Sequence, residues 1–225
     1  LIFNVVETLE HSDLYILNDS IDFPPVSATN KDGLLAVGGD LSIPRLLHAY
    51  YNGIFPWYDD DQPILWFSPD PRMVLFPEDL KISKSMRKLL RKNSFEVTFN
   101  KNFDQVISNC ATISRPDQLG TWITSDMKHA YTLLHQEGYA VSTEVWQGSE
   151  LVGGLYGIWL EDKKIFSGES MFSKVSNASK YGFIKLIEFL QIKGVQLVDC
   201  QVHTDHLESL GAKEIPRDAF MEYLK

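Results

Sequence analysis

Two rhythms of apolar residues run along this chain, one with helical spacing and one that alternates. Ile43, Leu46, Leu47 and Tyr50 recur as one face of a helix, with Ser42 as its cap, Pro44 in its first turn and Asn52-Gly53 as its stop. Before it, Phe23-Pro24-Pro25 reads as extended chain and Gly38-Gly39-Asp40 as a turn. Pro56, Pro63, Pro69, Pro71 and Pro77 then punctuate a stretch with Asp59-Asp60-Asp61 in a loop. This predicts a small N-terminal unit over residues 1–70 and a main domain over 71–225. The main domain opens with a helix whose buried side is Ile82, Met86, Leu89 and Leu90 and whose cap is Ser83. Phe95, Val97 and Phe99 alternate as a strand, and helices fit near 102–111 and 125–136, the second stopped by Gly138.

From 140 to 172 the rhythm is that of strands. Residues 140–146, 151–159 and 164–172 are rich in β-branched and aromatic residues, with turns at Gln147-Gly148-Ser149 and Glu161-Asp162. A long amphipathic helix begins at Ser176, runs through Phe183, Leu186, Ile187 and Leu190, and ends at Gly194. An apolar strand over 195–202 and a short helix near 205–210 follow. Helices, an antiparallel meander, a long helix and a further strand make an α+β fold on a mostly antiparallel sheet.

Composition narrows this little. The chain has 225 residues, 44% hydrophobic and 23% charged, as an ordinary globular protein does. No apolar run approaches the roughly 18–20 residues of a membrane span, and no segment is laid out as a signal peptide. Cys110 and Cys200 are the two cysteines, too few for a disulfide framework and without metal-like spacing, which leaves a reducing cytoplasm as the expected location. Charge changes the picture more. The net charge is −9, yet residues 81–92 carry Lys81, Lys84, Arg87, Lys88, Arg91 and Lys92 and no acid. Setting those six aside leaves 15 basic residues against 30 acidic ones, a remainder of −15. Solvated helix faces usually mix signs, so an all-basic stripe on an acidic body suits a polyanion.

Asp199 and Gln201 are polar positions inside an apolar strand. Alternation places both on one face with Cys200 on the other. A carboxylate there needs a partner or a cleft, so the pair is either structural or lines a site. Glu169, beside Gly168 in an aromatic strand, is either a solvated face residue or part of that site, and Gly168 can mark a bulge. His203 and His206 flank Asp205 without a convincing third ligand, so no metal is expected. Gly153-Gly154 and Gly157 fall within a strand and make no phosphate loop. Most tryptophans suit a core. Trp57 and Trp122, in Pro- or Gly-bounded segments, are placed to wall an apolar pocket or to stack on a nucleobase.

Whole segments in one order carry a resemblance: GLLAVGGDL at 33–41, GIFPW at 53–57, WFSPDPR at 66–72, GTWIT at 120–124 and EVW at 144–146. GESMFS at 168–173, NASK at 177–180, DCQV at 199–202, SLGA at 209–212 and IPR at 215–217 continue it. The chain resembles the leucyl/phenylalanyl-tRNA–protein transferase family from about residue 21 onward. The resemblance implies a small N-terminal domain and an acetyltransferase-like (GNAT-like) domain that uses no acetyl-CoA, a fold whose element order agrees with the one above. It implies transfer of Leu or Phe from aminoacyl-tRNA to the α-amine of proteins beginning with Arg or Lys, which marks them for degradation. It implies Asp199 and Gln201 as catalytic positions, Glu169 as a site residue that attracts the cationic acceptor, and Trp57, Trp122 and Phe166 as contacts to the amino acid or the tRNA end. Because an aminoacyl ester is already activated, no ATP, metal or cofactor is expected. Two other classes compete. An acetyl-CoA enzyme of the same fold needs a Gln/Arg-x-x-Gly-x-Gly/Ala turn, which is missing before the long helix. A non-catalytic RNA-binding protein needs only the basic helix.

Overall fold

Short apolar segments between the prolines, which show no alternation, are strands. The computed structural model describes residues 14–113 and 123–225. Within them β1 (Tyr15–Leu17), β2 (Leu34–Gly38), β3 (Phe55–Pro56) and β4 (Leu65–Phe67) form a four-stranded sheet in the order β1-β2-β4-β3. Sequence reasoning saw turns and loop here. Strands of two to five residues, buried on both sides in β4, leave no period-two signal to read. The helix α1 (Ile43–Tyr51) is where its spacing placed it and buries Arg45, Leu46, Ala49 and Tyr50. Ser42 takes the cap position, but its hydroxyl makes no cap bond.

The second sheet has seven strands in the order β11-β5-β10-β9-β8-β7-β6. Its meander is β7 (Ala140–Gln147), β8 (Glu150–Leu160) and β9 (Ile165–Ser173), as expected, with β6 (Glu96–Phe99) on the outside. β10 (Leu197–Gln201) lies parallel to β9, and every other neighbouring pair is antiparallel. Two strands were not foreseen, β5 (Arg72–Leu75) and β11 (Lys213–Ile215), and β5 inserts between β11 and β10. Helices α3 (Phe103–Thr112) and α4 (Ser125–Gln136) and the long α5 (Ala178–Ile192) match the helical spacing. A Cβ on Gly154 would approach Val106 of α3, and one on Gly153 would meet Ala178 of α5. Consecutive strand positions point opposite ways, so α3 and α5 cover opposite faces. The basic helix α2 (Lys84–Arg91) rests on α5 through Met86, Tyr181 and Ile184. α6 (Asp205–Ser209) and α7 (Arg217–Leu224) complete the chain, an α+β molecule with a mostly antiparallel main sheet.

The two sheets share one core. Leu35, Leu46, Trp66 and Phe67 of the first part join Val74, Val106, Tyr131, Ile158 and Phe220 in a continuous apolar cluster. Three arginines are buried, one bracing the first part and two tying the parts together. Arg45 donates to the carbonyls of Ser20 and Asn18 and to Asp40, and Arg217 to Thr29 and the carbonyl of Ser68. The third, Arg72, belongs to the site. No helix among the described residues is long and apolar enough to cross a membrane.

Candidate active site

β9 and β10 run side by side from Ile165–Ser167 against Leu197–Asp199 and then part. A bulge stands on each arm of this fork. On β9, Tyr156 faces Ser170 and Gly157 faces Gly168, so Glu169 is the extra residue. On β10, Asp199 faces Val74 and Gln201 faces Met73, so Cys200 is extra. Bulges re-aim side chains, and here they turn Glu169 and Gln201 toward each other: Gln201 Nε2 donates to Glu169 Oε1 at 3.0 Å. The room for this comes from Gly157, where a Cβ would lie 2.2 Å from the carbonyl oxygen of Ser167. Gly168, read from sequence as the bulge marker, sits beside the bulge, but a Cβ there would make only ordinary contacts, 3.8 Å from the carbonyl oxygen of Asp199.

Strict alternation therefore fails at β10. Asp199 does not share the pocket wall with Gln201. Its carboxylate is buried and held by Arg72, Nε to Oδ1 at 2.8 Å and Nη2 to Oδ2 at 2.7 Å. Ser167 Oγ donates to Oδ2, and the backbone N–H of Gln201 donates to Oδ1 at 3.0 Å. That last bond, from a carboxylate to the amide two residues on, stabilises the left-handed φ of +64° that Gln201 adopts. Asp199 thus fixes Gln201 through its backbone. Arg72, missed by sequence reasoning, also donates to the carbonyl of Gly53 and lies between the rings of Phe55 and Phe220. The signal for it was the unpaired Asp199 itself, which called for a cation.

Glu169 accepts from Tyr50 Oη at 2.7 Å and from Tyr131 Oη at 3.1 Å, besides Gln201, and the two phenol oxygens touch each other. Burial raises its carboxyl to about 7, while the phenol and amide hydrogen bonds act the other way and Asp199 adds to the rise. Burial, then the charge of Glu169, holds both phenols well above the usual tyrosine range. Three donors thus share the two oxygens of Glu169. Tyr50 was legible only as an apolar position of α1, and nothing in the sequence singled out Tyr131 within α4.

A pocket of about 410 Å³ opens in the fork. Trp57, Leu155, Phe166, Met171 and Phe183 give it an apolar wall, and Gln201 and Glu169 stand in its lining. Trp57 and Phe166 are thus in the pocket, whereas Trp122 lies outside the described residues. His206 joins the lining, and burial followed by the charge of Lys180 lowers its pKa. His203, Asp205 and Glu208 cluster at the surface, a grouping the sequence had not suggested as a ligand set. The basic residues are exposed on α2 and its flanks. The stripe is shorter than its spacing suggested, because Lys81 precedes the helix and Lys92 ends it.

The sequence profile described as Leucyl/phenylalanyl-tRNA protein transferase matches residues 74–225, and that of its N-terminal domain matches 39–70. The chain belongs to this family. A leucyl/phenylalanyl-tRNA--protein transferase of Christiangramia forsetii is 63% identical over 94% of this chain and 100% of its own length. That of Flavobacterium johnsoniae is 57% identical over 94% and 99%, and that of Syntrophus aciditrophicus 56% over 93% and 87%. Among solved structures, a GCN5-related N-acetyltransferase from Kribbella flavida aligns over 76% of this chain and 59% of its own at 7% identity, with a TM-score of 0.35. The transferase expected from the ordered segments is thus the family to which the chain belongs, and its fold is the expected α+β arrangement.

Proposed function

We propose that the fork is the place where Leu or Phe leaves its tRNA for the α-amine of a protein beginning with Arg or Lys, marking that protein for degradation in the cytoplasm. The observation that carries this is the apolar pocket with Gln201 and Glu169 in its wall. Trp57, Phe166 and Met171 suit a Leu or Phe side chain, and Trp122 is taken as a further contact to the amino acid or the tRNA end. The ester is activated already, so much of the catalysis comes from holding amine and ester in attack geometry. With Nε2 committed to Glu169, the Oε1 end of Gln201 accepts a hydrogen bond from the attacking amine, while Asp199 holds the strand that presents it. The acidic body favours an acceptor with an N-terminal Arg or Lys, and no metal or cofactor enters the reaction. Lys81, Lys84, Arg87, Lys88, Arg91 and Lys92 dock the tRNA phosphates. Residues 1–70 and 71–225 act as two units, the first supplying Tyr50 and Trp57, the second the fork.

The test is transfer of labelled Leu from Leu-tRNA to a peptide beginning with Arg. Incorporation into that peptide, and none into the same peptide beginning with Asp, is the expected result. Absence of incorporation from both Leu-tRNA and Phe-tRNA would remove the reading.

A further inference from the structure

The hydroxyls around Glu169 carry a proton count of their own. Tyr50 meets Oε1, Tyr131 meets Oε2, and the two phenol oxygens meet each other, so three oxygen–oxygen contacts close a ring. With the carboxylate ionised the ring owns two protons, one on each phenol. If both phenols donate to the carboxylate, their mutual contact has no proton in it. One proton added to Oε2 completes the ring: Glu169 donates to Tyr131, Tyr131 turns to Tyr50, and Tyr50 keeps donating to Oε1. Gln201 Nε2 stays on Oε1 throughout, so filling the vacancy leaves the amide in place.

Resting on the aminoacyl-transfer reading above, we propose that the Tyr50–Tyr131–Glu169 ring receives the proton that the acceptor amine loses during attack. The neutral amine nitrogen bonds to the ester carbonyl carbon, and the bond from that carbon to the ribose oxygen breaks. One amine proton passes to Glu169 and from there to the departing ribose oxygen, so the protein ends as it began. Neither neighbour competes for this proton. Gln201 is an amide and too weak a base, and Asp199 is bound up with Arg72. The titratable and charged groups facing the ring are Tyr50 on α1, Tyr131 on α4, Asp199 on β10 and Tyr156 on β8 beside Tyr131. Glu169 at about 7 exchanges its proton near neutrality, as a general base must, while the phenols keep theirs.

The experiment compares the full chain with Y50F, Y131F and E169Q, all close in shape to the native residues. Removing a phenol removes a bond that favours the carboxylate, so the acid limb of kcat moves upward from near pH 7 in Y50F and Y131F. The rate recovers at higher pH, and KM for aminoacyl-tRNA stays within about twofold. Titration of the acceptor amine is common to all variants, so a shift between them belongs to the ring. E169Q loses about 10²–10⁴-fold in kcat together with the ring's part of the limb, keeping only that of the acceptor amine. Infrared spectra of the protein alone show a carboxyl band that titrates within about one unit of pH 7, is absent in E169Q and titrates higher in Y131F. An unmoved limb in both Phe variants, an E169Q rate within about twofold of wild type, or no such band each overturns the proposal. A wild-type chain that shows the band but transfers nothing overturns the transfer reading instead, and with it the use of the ring in that reaction.

Discussion

Arg72 and Asp199 are each about 1% exposed, and a charge so deeply buried is tolerable only while its partner is present. Asp199→Ala leaves a guanidinium stranded between Phe55 and Phe220 and is expected to lower stability by about 3–5 kcal/mol, as urea unfolding will show. Arg72→Ala should cost a similar amount, and the double variant far less than their sum. From the sequence alone Asp199→Ala promises a folded but slow protein; the geometry makes stability its first casualty. Gln201→Ala differs, because among the described residues its side chain bonds only to Glu169. It should reduce kcat while its urea midpoint stays close to wild type. The polar character of Asp199, Gln201 and Glu169 was plain in the sequence because each interrupts an apolar strand. Their orientation was not, since a one-residue bulge reverses the side to which a chain of fixed period points.

At the scale of elements, the long periodic segments were legible and the short ones were not. The meander and α5 repeat their pattern over enough residues to be read, and Ser83 does cap α2 by accepting from the N–H of Met86. β5 offers four buried residues between prolines, and nothing local distinguishes it from loop. α2 has a prediction of its own. If about four phosphates are neutralised along it, the log of the tRNA binding constant falls with log salt at a slope of roughly −3 to −4. Replacing Lys84, Lys88 and Arg91 by Ala should flatten that slope and raise KM for full aminoacyl-tRNA, while transfer from aminoacyl-adenosine hardly changes. Equal losses with both donors would place the stripe in the fold or the chemistry, and no loss with either would leave it a solvated face.

Over the whole molecule, two of the five prolines that suggested a boundary, Pro69 and Pro71, fall where the chain passes from one sheet to the other, between Phe67 and Arg72. The core ignores that passage, with Trp66 and Val74 in one cluster. A fragment of residues 71–225 is therefore expected to retain helix and strand signals in the far-ultraviolet but to lack a cooperative melting transition. Loss of contacts to Leu46, Phe67 and the carbonyl of Gly53 opens its centre. The place of β5 between β10 and β11 has a consequence in time. A ribosome delivers β5 long before either neighbour, and until β10 emerges Arg72 has no anion and β5 no strand beside it. The sheet closes on a finished chain and does not grow with the nascent one. Synthesis broken off before β10 leaves an unmatched cation and an open strand edge, a product fit for proteolysis and without the fork.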